Sequence, residues 1–144
     1  MRRLALVNGL LALALSAIGC SSKPTLAEGT VAPSDVQLMK LSQLYKLAEE
    51  RLGRPPRSAD DLKPFAAEFG DLDALLTSPN DQQKFVVVWR TNLVSAPDQE
   101  IVVMYEQRGT KGFRHVLMPS GMRVLSDELF AQAKFPPGHA PAQP

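Results

Sequence analysis

The chain has 144 residues and a formal net charge of +1, from 16 Lys and Arg against 15 Asp and Glu. This balance excludes the concentrated positive charge that nucleic-acid-binding proteins carry, so we expect no nucleic acid among its partners. The length is that of a single domain with one modest core.

The first 19 residues have the layout of a secretory signal peptide. Arg2 and Arg3 form a basic start, and residues 4–18 form an apolar run with few interruptions. This run of about 15 residues is shorter than the roughly 20 that a membrane-spanning helix needs. The sequence therefore predicts an export signal over residues 1–19 and not a permanent membrane span.

The signal segment ends in Ala17-Ile18-Gly19-Cys20, and Cys20 is the only cysteine in the chain. This ending resembles the signal peptides of bacterial lipoproteins, in which a box of small residues precedes an invariant cysteine. The resemblance implies cleavage before Cys20, a diacylglyceryl group on its thiol and a further acyl chain, such as palmitate, on its amine. Two or more chains hold a protein stably on a membrane. We therefore expect membrane lipid as a partner through Cys20, and a lipid-anchored place in the bacterial cell envelope, on its periplasmic or outer face.

Residues 20–33 contain the acylated cysteine and a linker of small, polar and turn-forming residues without periodicity. The 13 residues after Cys20 span at most about 45 Å when fully extended. As a flexible coil they average roughly 20 Å. The sequence thus predicts that the folded domain stays close to its own membrane.

An amphipathic helix is predicted to begin at Ser34, which we interpret as its N-cap, with Asp35 in the first turn and Gln37 in the position of a capping box. Apolar residues then recur at spacings of three and four along one face. They are Leu38, Leu41, Tyr45, Ala48 and Leu52. Gly53 is expected to end the helix, and Pro55-Pro56 prevent its continuation.

A second, shorter helix is expected to begin at Ser58, with an irregular segment after it because Pro64 cannot lie deep inside a helix. Asp71 and Asp73 form a possible carboxylate pair in this region. We interpret them as a helix start and a surface charge around the Gly70 turn, and not as a catalytic pair.

After the turn residues 77–81 the pattern changes from helical to extended. Residues 85–89 and 101–105 are β-rich apolar runs, and both are expected to be central strands that are covered on both faces or nearly so. Residues 114–118 and a short segment around 123–125 are the next strands. Ser126 is expected to cap a short last helix. The prediction is a single α+β domain over residues 34–135, with the long helix packed on an antiparallel sheet of three or four strands.

The proline-rich residues 136–144 are predicted to be a disordered tail, because they have little apolar surface to bury. Pro141 and Pro144 have the spacing of a polyproline ligand. We favour a frayed terminus over such a ligand.

The folded part shows no strong signature of catalysis or of a cofactor. His115 and His139 are too few for a metal site of three or four ligands. A Ser120, His115 and Asp127 triad can be written, but the spacing does not support it. We therefore expect no enzyme, no cofactor and no metal, although a small hydrolase stays a third hypothesis.

Residues 112–130 resemble the strand–turn–strand–helix ending of some pilin-like and pseudopilin-like secretion proteins. The matching positions are Val116-Leu117, Ser120-Gly121, Val124 and residues 128–130, with serine where that group has aspartate. The resemblance implies a shared fold and, as the second hypothesis, an accessory of an export or assembly system. Fibre assembly does not follow, because the chain begins with a lipoprotein-type signal.

The leading hypothesis is a membrane-anchored envelope lipoprotein whose small non-catalytic domain contacts another envelope protein. Strand alternation puts His115 and Leu117 on one face and Val116 and Met118 on the other. If the second pair faces the core, His115 and Leu117 are left as the expected partner surface.

Overall fold

The computed structural model describes residues 32–94 and 99–141. Three α-helices and four strands form the domain, with two 3₁₀ segments, Ala59–Asp61 and Lys63–Glu68, between the first two helices. The helices are α1 (Pro33–Leu52), α2 (Leu72–Leu75) and α3 (Asp127–Ala131). The strands are β1 (Val86–Val87), β2 (Met104–Tyr105), β3 (Phe113–Met118) and β4 (Gly121–Ser126).

Helix α1 is 20 residues long and ends as the sequence predicts, with Gly53 in the left-handed conformation at φ 65°. Its start differs from the prediction. Pro33 is the first helical residue, so Ala32 is the N-cap and no side chain caps the helix. Ser34 is buried inside the first turn, and its hydroxyl bonds to Glu106. The Gln37 amide bonds to the carbonyls of Ala74 and Thr77, so the predicted capping box is wrong.

The four strands form one antiparallel sheet in the order β1-β2-β3-β4. The predicted α+β fold, with a long helix, a four-stranded sheet and a short last helix, is confirmed. One detail is wrong: the apolar run over residues 85–89 supplies the edge strand β1, whereas the central positions belong to β2 and β3. Directly before β1, the N–H of Phe85 donates to the carbonyl of Leu76, so the segment that follows α2 lies beside this edge of the sheet.

The sheet is covered on both faces, which explains why its apolar runs lack polar alternation. On one face α1 packs Leu38, Leu41 and Tyr45 against Met104 and Leu117. On the other face α3 and the following residues cover the sheet. The buried apolar residues on this second face form a cluster of their own, against which Phe135 packs. They are Val88, Val102, Tyr105, Val116, Met118 and Phe130.

Residues 136–141 do not form the free tail that the sequence predicts, and the residues just before them also pack on the sheet. Lys134 O accepts a 2.8 Å hydrogen bond from Val102 N–H, and His139 Nε2 lies 2.9 Å from the Tyr105 hydroxyl. Phe135 and His139 both stack against Tyr105 in edge-on contacts. The prediction failed because aromatic residues at two positions provide enough contact area to hold a proline-rich segment. No helix within the described ranges is long and apolar enough to cross a membrane.

Candidate functional site

The most concentrated group of polar side chains surrounds Glu106, which is fully buried directly after β2. Its Oε1 accepts hydrogen bonds from Ser34 Oγ at 2.6 Å, Ser78 Oγ at 2.9 Å and Asn80 Nδ2 at 2.8 Å. Its Oε2 accepts from the backbone N–H of His115 at 2.9 Å. A carboxylate has about four acceptor positions, so all four donors are accommodated by one side chain.

This Glu106 cluster joins three parts of the fold: the first turn of α1, the turn at residues 78–80 and strand β3. Glu106 N–H donates to His115 O at 3.1 Å, while its side chain accepts from His115 N–H. The carboxylate thus replaces a main-chain carbonyl at the point where the β2–β3 ladder ends. Because buried polar groups are costly unless they are hydrogen-bonded, the cluster fixes the position of α1 on the sheet.

The His115 ring is the neighbour of this cluster and faces α1. Its Nδ1 lies 2.6 Å from Asp35 Oδ1, and both side chains are largely covered. The sequence correctly assigned His115 and Leu117 to one face of β3, but that face is not open. Leu117 is only 5% exposed and belongs to the core under α1. Leu117 is therefore excluded from a partner surface, because a sheet with two covered faces leaves its inner strands no exposed face.

The other residues singled out in the sequence are not brought together. His115 contacts Asp35 on the α1 face, whereas Asp127 bonds Arg114 on the opposite face, and Ser120 lies in the exposed hairpin turn. The triad therefore does not form. In the other pair, Asp71 Oδ1 caps α2 by accepting from Ala74 N–H at 2.8 Å, and Asp73 pairs with Lys84.

Cys20 lies outside the described residues. Trp89 packs against the Tyr45 ring, with centroids 6.2 Å apart, next to the core under α1. Ser126 caps α3 as expected, since its Oγ accepts from Leu129 N–H at 3.3 Å.

Arg114 is a buried cation that sequence analysis did not identify. Its Nε lies 3.0 Å from Asp127 Oδ1, its Nη1 donates to Gln107 O at 3.0 Å, and its guanidinium lies 4.5 Å from the centre of the Phe130 ring. These contacts combine a charge-assisted hydrogen bond with a cation–π contact. Arg114 holds α3 and the turn before β3 onto the second face of the sheet.

The turn between β2 and β3 is held rigidly by Asp81. One carboxylate oxygen accepts from the backbone N–H groups of Arg108 and Gly109 at 2.9 and 3.0 Å. Burial raises the pKa of Asp81, but its backbone hydrogen bonds outweigh this effect and hold the pKa below its usual range. Gly109 has a φ of 70°, and an added Cβ would lie 2.1 Å from Phe113 O. Only glycine fits at this position.

Strand β4 is the last strand of the sheet, and none of residues 32–94 and 99–141 pairs with its outer side. The N–H of Val103 donates to Leu117 O, and the N–H of Glu106 donates to His115 O. His115 and Leu117 of β3 therefore direct their backbone groups toward β2. The alternate residues of β3 therefore face β4, and Met122 and Val124 of β4 turn their backbone groups outward. The Val124 side chain is 51% exposed.

Three clefts lined by described residues lie beside α1, and Val124 lines none of them. The largest of three, about 330 Å³, is lined by Leu47, Arg51 and Phe65, and His115 lines none of the three. Within residues 32–94 and 99–141, no three His, Cys, Asp or Glu side chains are grouped so that they could hold a metal ion. Comparison of the chain with protein-family models, with curated proteins and with solved structures finds no match.

Proposed function

We propose that this chain is a lipid-anchored protein of the bacterial cell envelope whose domain binds an extended segment of another envelope protein along β4. The anchor is the acylated Cys20, and the domain contributes a binding edge. The observation that carries the binding function is the outward-facing backbone of β4, with the half-exposed Val124 at its centre.

An edge strand presents unpaired N–H and C=O groups, which a partner strand can join to extend the sheet. Strand β4 is six residues long, enough for such pairing. Proteins commonly protect an edge that is not used, and β4 has one such protection, since Arg123 Nη1 donates to Met122 O at 2.9 Å. At Val124 the edge carries an apolar side chain, which would pack against a side chain of an added strand.

The polar interior supports a binding role over a catalytic one. Ser34, Ser78 and Asn80 direct their side chains to Glu106, and His115 bonds to Asp35. These contacts join α1 to the sheet, so each of these side chains has a structural task. A rigid sheet with an available edge suits the capture of a flexible segment, because the edge needs no rearrangement before binding.

The anchor is tested by acyl labelling of cells that express the full chain or its Cys20→Ser variant. The full chain should incorporate labelled palmitate and fractionate with membranes, while Cys20→Ser should do neither. Label in the Cys20→Ser protein would disprove the anchor.

The edge is tested with a photo-crosslinking amino acid placed at Val124 or, as the control, at Val94, an apolar residue that is 42% exposed outside the sheet. Irradiated cells should yield one defined adduct from position 124 and none from position 94. In a second pair of proteins the crosslinker stands at Met122, with or without Val124→Pro, which removes the outward N–H of residue 124. The adduct with the same partner should form without the proline and be absent with it. Equal adducts from both positions would refute a specific edge.

A further inference from the structure

A shallow apolar surface lies between one side of α1 and the last strand of the sheet. We refer to the surface formed by Met39, Met122 and Val124 as the β4 shelf. Val124 pairs with His115, and Met122 pairs with Leu117. Residues that face each other across an antiparallel ladder point to the same face of the sheet, which here is the face that α1 covers. Helix α1 contacts both β3 and β4, yet Val124 stays 51% exposed.

The third member of the β4 shelf, Met39, lies on the side of α1 that is turned toward β4. Ser34 bonds to Glu106 at the end of β2, whereas the next residue, Asp35, contacts His115 in β3. The step from residue 34 to residue 35 therefore turns around the helix in the direction from β2 to β4. Residues four apart in a helix share a face, so Met39 lies one turn beyond Asp35 on the same side. Its side chain is 44% exposed.

The charged groups on this side of α1 lie at the two ends of the β4 shelf. Asp35 stands at one end, where it pairs with His115. Lys46, half-buried, stands at the other end, about 16 Å along the helix axis. Between them Met39 and the buried Ser42 carry no charge. The middle of the shelf is therefore apolar and uncharged.

A segment that pairs with β4 has to place every second side chain on the β4 shelf. Successive side chains of a strand point to opposite faces, and neighbouring strands lie about 4.8 Å apart. Because α1 leaves Val124 half-exposed, an added strand runs beside the helix and not beneath it. Its side chains on this face meet Val124 across the ladder and Met39 from the side.

We propose that the segment bound by β4 carries apolar residues at alternate positions, and that the β4 shelf selects this pattern. The inference rests on the proposed binding function of β4 and adds to it the chemistry of the partner. A polar side chain at one of these positions would lose water against Val124 and Met39 without gaining a hydrogen bond. The flexible thioether of Met39 adapts to apolar side chains of different shapes, so the shelf selects the alternation and not one residue type.

The first test compares two peptides of identical composition, labelled with fluorescein and followed by fluorescence anisotropy. Leucine alternates in Lys-Thr-Leu-Thr-Leu-Thr-Leu-Thr-Lys and forms a block in Lys-Thr-Thr-Leu-Leu-Leu-Thr-Thr-Lys. The protein is the full chain in the Cys20→Ser background, so that acyl chains do not bind the peptides. The alternating peptide should bind about fivefold more tightly than the block peptide. Equal affinities would overturn the inference.

The second test removes the apolar wall of the shelf. Met39→Glu should weaken binding of the alternating peptide about tenfold, because it sets a carboxylate against the leucine side chains. Val36→Glu is the matched control, with the same added charge. Val36 is 37% exposed and lies on the other side of α1, where it lines a cleft with Gln37 and Leu75. We expect the control to change the affinity by less than about twofold, and circular dichroism checks that both variants keep their fold.

The remaining outcomes separate this inference from the proposed function. Binding of the alternating peptide should be lost in Val124→Pro, and binding that survives this change would place the peptide elsewhere and overturn the inference. In cells, mass spectrometry identifies the segment crosslinked to position 124, and a crosslinker at Met39 should capture the same segment. A captured segment without alternating apolar residues keeps the edge function and overturns the selection by the β4 shelf. If position 124 captures nothing and neither peptide binds, the proposed function fails and this inference fails with it.

Discussion

Replacing Glu106 by glutamine should weaken the domain although the side chain keeps its shape. The two carboxylate oxygens accept four hydrogen bonds, three at Oε1 and one at Oε2. Glutamine has one oxygen and one NH₂ group. If the NH₂ takes the place of Oε2, it faces the N–H of His115. If it takes the place of Oε1, it faces the donors of Ser34, Ser78 and Asn80.

The magnitude follows from which donors can find another acceptor. Ser34 Oγ and Ser78 Oγ lie 3.3 Å apart, so one hydroxyl can turn toward the other, and Asn80 is partly exposed to water. The N–H of His115 is fixed in the sheet and has no such choice. A hydrogen bond to a charged group contributes about 1.5–3 kcal/mol, and an unsatisfied buried donor costs about 1–3 kcal/mol. Loss of the buried charge offsets part of this, so we expect Glu106→Gln to lower the free energy of unfolding by about 2–3 kcal/mol.

The measurement is urea unfolding followed by circular dichroism, in the Cys20→Ser background so that acyl chains do not interfere. Glu100→Gln is the matched control, because that carboxylate is exposed and lies 4.0 Å from its nearest cation, Arg123. We expect the control to change the free energy of unfolding by less than about 0.5 kcal/mol. Equal effects of the two substitutions would show that the Glu106 cluster does not hold α1 to the sheet.

Three further predictions concern the other face and the β2–β3 turn. Arg114→Lys should lower the free energy of unfolding by about 2 kcal/mol, because lysine cannot reproduce the forked contact with Asp127 and a carbonyl; an effect below that of Glu100→Gln would contradict this. The lowered pKa of Asp81 gives stability that is present above its unfolded value of about 3.9 and is lost as pH falls through the folded value. The stability difference between wild type and Asp81→Asn should therefore be largest near neutral pH and vanish in acid, and a difference independent of pH would disprove the argument. Burial lowers the pKa of His139, so docking of its neutral ring on Tyr105 should weaken as pH falls below about 6.5; an NMR titration midpoint at or above that value would refute it.

Much of the fold could be predicted from periodicity and turn chemistry. The apolar stripe of α1, the glycine at its end and the cap at Ser126 each depend on a few neighbouring residues. Val87 and Val103, in the middle of the two apolar runs, are both buried as the strand prediction requires. Local signals suffice here because helix stripes and strand runs are properties of sequence spacing.

The buried polar residues were missed although part of the signal was present. Ser34 lies four residues before Leu38 and therefore on the apolar stripe of α1, which indicates a buried hydroxyl as well as it indicates a cap. Arg114 alternates with Val116 and Met118, so any assignment of those two to a core includes Arg114. Glu106 is different: it follows an apolar run and precedes a turn, where a charged residue is normally exposed. Only the arrival of residues 34, 78, 80 and 115 from elsewhere in the chain gives it donors.

The burial of Leu117, which the sequence had placed on a partner surface, was missed for a related reason. Alternation along β3 identifies the two faces of a strand, but it does not show how many of them are covered. With α1 on one face and α3 and Phe135 on the other, exposure shifts from the faces of the sheet to its edge. Val124, the register partner of His115, is the residue where that edge is open.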